Sequence, residues 1–409
     1  MTDVSAHEIG DDAGRENRVT ESGREGRVFL HVGALRAGTG IIQGALWHNR
    51  HTLAERGVHY PLESRDEHFA AAMDLREMAW DGHRDPAWSG AWDAVAERIG
   101  RRRGQTAIFS DERLAAATPE QIRRALSTLP AERVHVVFTA GDPARQLVAE
   151  WQQRLIRGHA LDFAEFVEQT LADRDAVDGP GKAFWLMHDP VRVLRRWQTA
   201  VPPERLHLIT LPHGDDRNER LWIRFAELTG IDLSWCDLTG VDDTVWLGAV
   251  EAGLLSMLNK RVGPALGDTY KRLIGEHVVR PVLARRRDPV PVGLPERHYG
   301  RVRELAQEMI TTISEEGWQV IGDLSELAPR FGEGGRPDLA PAEQMLEAGI
   351  EVIESLLVGI TGMVQQTEMA HLNHELSQVR DQLKRLAETS AQPHPAWRLT
   401  GRLLGRRRV

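Results

Sequence analysis

The sequence predicts an α/β fold, a parallel sheet flanked by helices, followed by a C-terminal helical or coiled-coil extension. Three observations predict it. Short, almost wholly apolar runs alternate with segments of helical period from residue 27 to about residue 228, the pattern of parallel strands covered on both faces. The first run breaks into a glycine-rich loop, "FLHVGALRAGTG" (Phe29–Gly40), which opens directly into a helical pattern. Far downstream, leucines recur four and three residues apart.

The elements follow in order. Residues 1–26 mix charges with Gly and Ser and are expected to be disordered. Arg27–Val32 reads as a buried strand, and Gly38 to Glu55 as a helix through Ile42, Leu46 and Leu53, with Trp47 beside them. Ala107–Phe109 is a second strand, followed by the polar Ser110-Asp111-Glu112. Val134–Thr139 is the clearest strand in the chain, and helical patterns follow at Ala144–Arg157 and Phe163–Leu171. Leu206–Leu211 is the fourth strand, leading to a helix from Arg217 to Leu228. Ligands on such sheets bind outside the carboxyl ends of the strands, which selects four loops: Gly33–Gly40, Ser110–Arg113, Ala140–Arg145 and Pro212–Arg217.

From Leu247 to Gly317 the pattern is mainly helical, interrupted by the basic, proline-rich "ARRRDPVPVGLP". The glycine- and proline-rich "APRFGEGGRPDLAP" suggests a boundary near residue 335, dividing an α/β domain (27–330) from a helical extension (340–390). In the extension Met345, Gly349, Ile353, Leu356, Ile360 and Met363 share a helical stripe. Leu372, Leu376, Val379, Leu383 and Leu386 then recur at spacings of four and three. Self-association as a homo-oligomer is the expected role, and folding back onto the core is the rival. Residues 391–409 end in "AWRLTGRLLGRRRV", where Trp397, Leu399, Leu403 and Leu404 accompany five arginines; this tail suits an anionic membrane surface, or is simply a solvated basic end.

Composition sets outer bounds. The 409 residues, 41% hydrophobic and 27% charged, are ordinary for a soluble globular protein. A formal net charge of −9 argues against general nucleic-acid binding, so an anionic ligand would need a local basic pocket. The single cysteine, Cys236, rules out an internal disulfide framework and suggests a reducing compartment. The N-terminus has no apolar core of a secretion signal, and no apolar run reaches about 18 residues. The expected location is therefore cytoplasmic, with the basic tail able to reach the inner face of the membrane. Scattered histidines without a metal-ligand spacing give no metal site. The twelve tryptophans, Trp47, Trp88, Trp92 and Trp151 among them, are expected to be packing rather than a carbohydrate platform.

The loop carries the chemistry. Gly33 and Gly38 have the spacing of a Walker A loop, but Thr39 and Gly40 stand where its lysine and hydroxyl residue belong, which excludes a nucleotide kinase. The loop's cation, Arg36, instead precedes the second glycine by two residues. In this placement Leu35-Arg36-Ala37-Gly38-Thr39-Gly40 resembles the Pro-Lys-x-Gly-Thr-Thr loop of the bacterial sulfotransferase family, which has a P-loop fold. The flanking "VFLHVGA" and "IIQGALWHNRHTLAERGVHYP" resemble that family as well. So do "IFSDERLAAATPEQ", "VHVVFTAGDPARQLVAEWQQRL", "LHLITLPHGDDRNERLWIRFAELTGID" and "GWQVIGDLSEL", extending the resemblance over residues 27–328.

The resemblance implies sulfuryl transfer from the co-substrate 3′-phosphoadenosine 5′-phosphosulfate (PAPS) to a hydroxyl or amine of a glycan, lipid or small metabolite. It implies that Gly33, Arg36, Ala37, Gly38, Thr39 and Gly40 bind the phosphosulfate through backbone N–H groups, the helix N-terminus and the Arg36 cation. It further implies a 3′-phosphate segment after the strand Val134–Thr139. There the family's arginine is replaced by Gly141, before Asp142, leaving Arg145 one turn later as the substitute; a family serine falls at Ala149. Arg36 keeps the charge of the family's lysine but is a poor proton donor, and Gly40 lacks a hydroxyl. The acceptor also needs a base. His68 in "RDEHFAAAMDLR" and Glu112 beyond the second strand are the candidates, with Asp111 behind them. The departures at Arg36, Gly40 and Gly141 keep open a second reading, a catalytically degenerate binding or scaffolding protein of the same fold.

Overall fold

The computed structural model describes residues 26–79, 83–102, 104–174, 179–241, 245–332 and 334–390. Residues 1–25 and the basic tail 391–409, with the expectations placed on them, lie outside the described residues.

Six strands form one all-parallel sheet in the order β2-β3-β1-β4-β5-β6. They are β1 (Val28–His31), β2 (Val58–His59), β3 (Thr106–Ser110), β4 (Val134–Ala140), β5 (Leu206–Thr210) and β6 (Gln319–Ile321). The four inner strands are the apolar runs visible in the sequence, within two residues at either end. They are buried on both faces because helices cover the sheet above and below. In the core of β1, Val28, Phe29 and Leu30 are fully buried between Ala107–Phe109 on one side and Val134–Val136 on the other. The edge strands β2 and β6 have two and three residues and contain His59 and Gln319, so neither shows as an apolar run.

The chain order reverses at β1: β2 and β3 lie to one side, β4, β5 and β6 to the other. A crevice therefore opens outside the carboxyl ends of β1 and β4, where the loops leave in opposite directions. The helices Pro143–Ile156, Phe163–Ala172 and Arg217–Thr229 match the sequence reading to within a residue. The single helix expected from Gly38 to Glu55 is two, Thr39–His48 and Arg50–Glu55. Asn49 breaks them, and its side-chain amide donates to Ala45 O and Asp237 O, both at 2.9 Å. Trp92, Trp151, Trp185, Trp197 and Trp222 are all buried core residues, as packing tryptophans should be.

Residue 335 marks no break in packing. Gly335 donates to Pro291 O at 2.7 Å and Gly293 to Gly335 O at 2.9 Å, stitching the glycine-rich stretch onto the domain. The helix that follows, Ala342–Ser390, docks its first turns on the helix Ala249–Leu273. A Cβ at Gly253 would lie 2.6 Å from Pro337 O, so the glycine lets the segment leading into that helix pack closely. Arg286 bridges the two helices, 3.0 Å from Glu251 and 3.2 Å from Glu351. The docked face is Ala348 and Val352 with Leu356 beside them; Ile353 and Ile360, on the stripe read from the sequence, are exposed. Contact is made through the small Ala348, which turns the helix away from its most apolar face. No described helix is long and apolar enough to cross a membrane.

Val352→Asp would place an unpaired carboxylate in this contact and should detach the helix. Limited proteolysis should then cut between residues 335 and 360 much faster than in wild type, with the domain's own melting unchanged. Equal cutting rates would refute the docked face.

Candidate active site

The loop after β1 is built on the sheet. Val32 donates to Val137 O at 2.8 Å and Ala34 to Thr139 O at 3.1 Å, carrying β1–β4 pairing two residues into the loop. This leaves no room at Gly33, where a Cβ would lie 2.3 Å from Thr139 Oγ1 and 2.5 Å from His31 Nε2. His31 is fully buried beneath it, bonded to Ser110 Oγ at 2.7 Å and near Thr139 Oγ1 at 3.3 Å. Burial pushes its pKa down to about 3 despite the nearby Asp111 charge, so a neutral imidazole ties β3, β1 and β4 together under the loop.

The turn itself uses two left-handed residues, Arg36 (φ 64°) and Gly38 (φ 83°). A Cβ at Gly38 would fall 1.9 Å from Leu221 Cδ2. For Arg36 the left-handed conformation costs about 1–2 kcal/mol. It is held by a hydrogen bond from Nη2 to Val245 O and by stacking on Trp246. The helix Thr39–His48 then begins without a side-chain cap. Its first N–H groups, from Thr39, Gly40 and Ile41, have no intrahelical acceptor and form an anion-binding end. The Thr39 hydroxyl donates to Ala34 O at 3.1 Å and so closes the loop on itself.

Above this loop lies a cavity of about 370 Å³. Of the residues singled out by sequence, Arg36, Gly38, Thr39, Gly40, His68, Glu112 and Arg145 all line it. Gly33 and Ala37 do not; they are the buried underside of the loop. Asp142 also lies outside the cavity wall. It caps the helix Pro143–Ile156, accepting from Arg145 N at 3.0 Å, so its part is to fix where that helix and Arg145 begin.

One wall is cationic. Arg36, Arg145 and Arg217 surround the Trp246 ring at 5.1, 5.4 and 5.9 Å from its centroid. Burial, reinforced by the like charge of Arg217, pushes the Arg145 pKa down to about 10. Arg65, Arg113, Arg157 and Arg280 complete the lining. Among the described lining residues seven are arginines and Glu112 is the one carboxylate, so a chain of net charge −9 holds a strongly basic pocket.

The opposite wall is an acid–base pair. Asp111, fully buried at the carboxyl end of β3, lies 2.8 Å from His68 Nδ1. Burial works against its ionisation. The Arg113 cation, the His68 hydrogen bond and the Arg113 N–H overcome that and hold the carboxyl below the usual carboxylate range. An ionised Asp111 accepts from Nδ1, so Nε2 is the ring nitrogen not taken by the carboxylate. Glu112 is tied up differently, accepting from Gln43 Nε2 at 3.3 Å and lying 3.4 Å from Arg113 Nη1.

A second cleft of about 420 Å³ adjoins the cavity and shares Arg145, Arg217 and Trp246 with it. Its apolar side is Pro289, Pro291, Val292 and Leu294, with Tyr299 and Phe331 stacked at 3.9 Å. At its polar end burial raises the pKa of Asp142, and His213 stands 3.9 Å away with its Nε2 unbonded. Sequence reasoning missed Trp246, Arg217 and the pairing of Asp111 with His68. The clue for Arg217 was its place in the fourth selected loop; nothing local marked Trp246. Among the described residues no group of His, Cys, Asp and Glu is arranged to hold a metal.

No family model, no curated protein and no solved structure matches this chain.

Two outcomes are expected. Gly38→Ala should lower stability by about 1–3 kcal/mol in chemical denaturation, since both the left-handed backbone and Leu221 oppose a Cβ; an unchanged midpoint would contradict the loop geometry. Asp111 has a folded pKa below its unfolded value of about 3.9. Its contribution is therefore complete above that pH and lost as pH falls through the folded value. Asp111→Asn should accordingly destabilise the protein at neutral pH and flatten the acid limb of its stability profile.

Proposed function

We propose that the chain is a sulfotransferase that moves a sulfuryl group from PAPS to an acceptor hydroxyl or amine of a glycan, lipid or small metabolite. The observation that carries the reading is the union, in one cavity, of an arginine wall around a glycine loop with a histidine held by a buried carboxylate. When bound, PAPS supplies an activated sulfuryl group on a phosphate leaving group. The residues present suit such a polyanion. The first N–H groups of the helix Thr39–His48 and the Arg36 guanidinium face one anionic group, and Arg145 with Arg217 a second. The Arg145 pKa is lowered by burial and then by the like charge of Arg217, and an anion bound between these cations would relieve the repulsive part. The apolar cleft beyond Trp246 is continuous with this wall and suits a purine.

His68 Nε2 would take the proton of the acceptor while Asp111 stabilises the imidazolium that forms. Arg36 need not donate a proton. A phosphate monoester has a second pKa of about 6, so at neutral pH the leaving oxygen needs only a charge beside it. The alternative, a binding protein that has lost transfer, draws support from one observation: Arg36 and Thr39 are already engaged, by Val245 O and Ala34 O.

Calorimetry with the desulfated product, 3′,5′-phosphoadenosine, tests both readings. Binding is expected, and none at millimolar concentration would sink them together. Arg145→Gln should raise the melting temperature of the ligand-free protein, because it removes an unfavourably placed cation, and weaken product binding about tenfold or more. His68→Ala should leave that binding unchanged and reduce sulfuryl transfer by about 10²–10⁴. Product binding by a wild-type protein that transfers nothing to a broad acceptor panel would decide for the binding protein.

A further inference from the structure

The helix Ala342–Ser390 runs unbroken for 49 residues, about 73 Å, and its buried residues among those described, Ala348 and Val352, lie in its first turns. Beyond them large apolar side chains stand in solvent: Met369 is 61% exposed, Leu376 65% and Val379 51%. In sequence these belong to Met369, Leu372, Leu376, Val379, Leu383 and Leu386, spaced three, four, three, four and three. That is an unbroken run of a and d positions over two and a half heptads. From His374 to Arg385 the outward positions, His374, Ser377, Gln378, Asp381, Lys384 and Arg385, are all polar. A helix of this pattern draws its stability from a partner on the seam, because helices gain little from propensity alone.

We propose that residues 369–386 form a parallel, in-register coiled coil with the same segment of a second copy of this chain. The charges select the occupant. With Leu376 at a and Val379 at d, Glu375 is a g residue and Arg380 the e residue five positions on. In a parallel, in-register pair each Glu375 faces the partner's Arg380, and symmetry makes the pair twice. An antiparallel pair instead sets g beside g and e beside e, so Glu375 and Arg380 no longer meet. Each helix thus carries both halves of its own complement.

The proximal apolar residues Leu346, Ile350, Ile353, Leu357 and Ile360 are exposed too, but belong to another face. Twelve residues separate Ile360 from Leu372, a rotation of about 120° at 3.6 residues per turn, so one partner helix follows the distal seam alone. The proposal is independent of the sulfotransferase reading.

Sedimentation equilibrium of the full chain should show a reversible dimer. Leu376→Glu with Val379→Glu should give a monomer with the domain's melting unaltered, since both side chains are exposed and carry no part of the core. Glu375→Arg and Arg380→Glu should each weaken association by about tenfold, and combining them in one chain should restore it. Mixing the two single variants should favour the heterodimer. A wild-type chain monomeric at high micromolar concentration would overturn the proposal, as would a dimer indifferent to Leu376 and Val379 substitution. Failure of the combined reversal to restore association would exclude the parallel pairing.

Discussion

Like charges brought together on one indole are the constraint to which the rest of the structure answers. Arg36, Arg145 and Arg217 reach Trp246 from three segments far apart in sequence, the β1 loop, the helix after β4 and the helix after β5. Cations in a partly buried pocket are costly: burial, with the like charge of Arg217 behind it, lowers the Arg145 pKa. Such a cluster persists only where the scaffold over-determines it. The scaffold here is the switch point of a parallel sheet, whose inner strands have no exposed face. Asp142 adds the local fixing, capping the helix that carries Arg145.

The same sheet keeps a neutral polar layer apart from a charged one. His31, neutral and buried, satisfies Ser110 and lies within reach of Thr139, so the layer under the loop carries no charge. Asp111, the residue directly after Ser110, carries the charge instead, facing away toward His68 and Arg113. One strand end thus alternates a neutral hydroxyl, which holds the sheet together, with an ionised carboxylate, which is paired with His68 and Arg113. Arg113 belongs both to the basic lining of the cavity of about 370 Å³ and to the Asp111 pair behind it.

Much of the fold was legible because buried parallel strands are written as apolar runs, and β1, β3, β4 and β5 are such runs. β2 and β6 were not, since two- and three-residue edge strands need only partner hydrogen bonds and leave no period. Arg36, Thr39 and Arg145 were legible from their places after strands. The link between His68 and Asp111 was not, because 43 residues separate them and only the fold brings the β3 end beside the helix Glu67–Leu75, which carries His68. Trp246 carries no local signal at all, lying in irregular chain next to undescribed residues. In the extension the helical period was legible and the docked face was not. A helix is oriented by what it must fit against, here through Ala348 and Val352, as much as by which side is most apolar.

That fit also joins the extension to the cleft. Pro291, Val292 and Gly293 line the cleft on one side and are stitched to Gly335 on the other. Seven residues after Gly335 the long helix begins, and its Glu351 is held by Arg286, which shortly precedes Pro289. The cleft's apolar side is therefore clamped at both ends by residues that also seat the helix. The helix and Pro289–Leu294 are thus joined by a salt bridge and two backbone hydrogen bonds. A glycine-rich stretch that reads as a domain boundary is, at Gly335, bonded to the domain through both its N–H and its carbonyl.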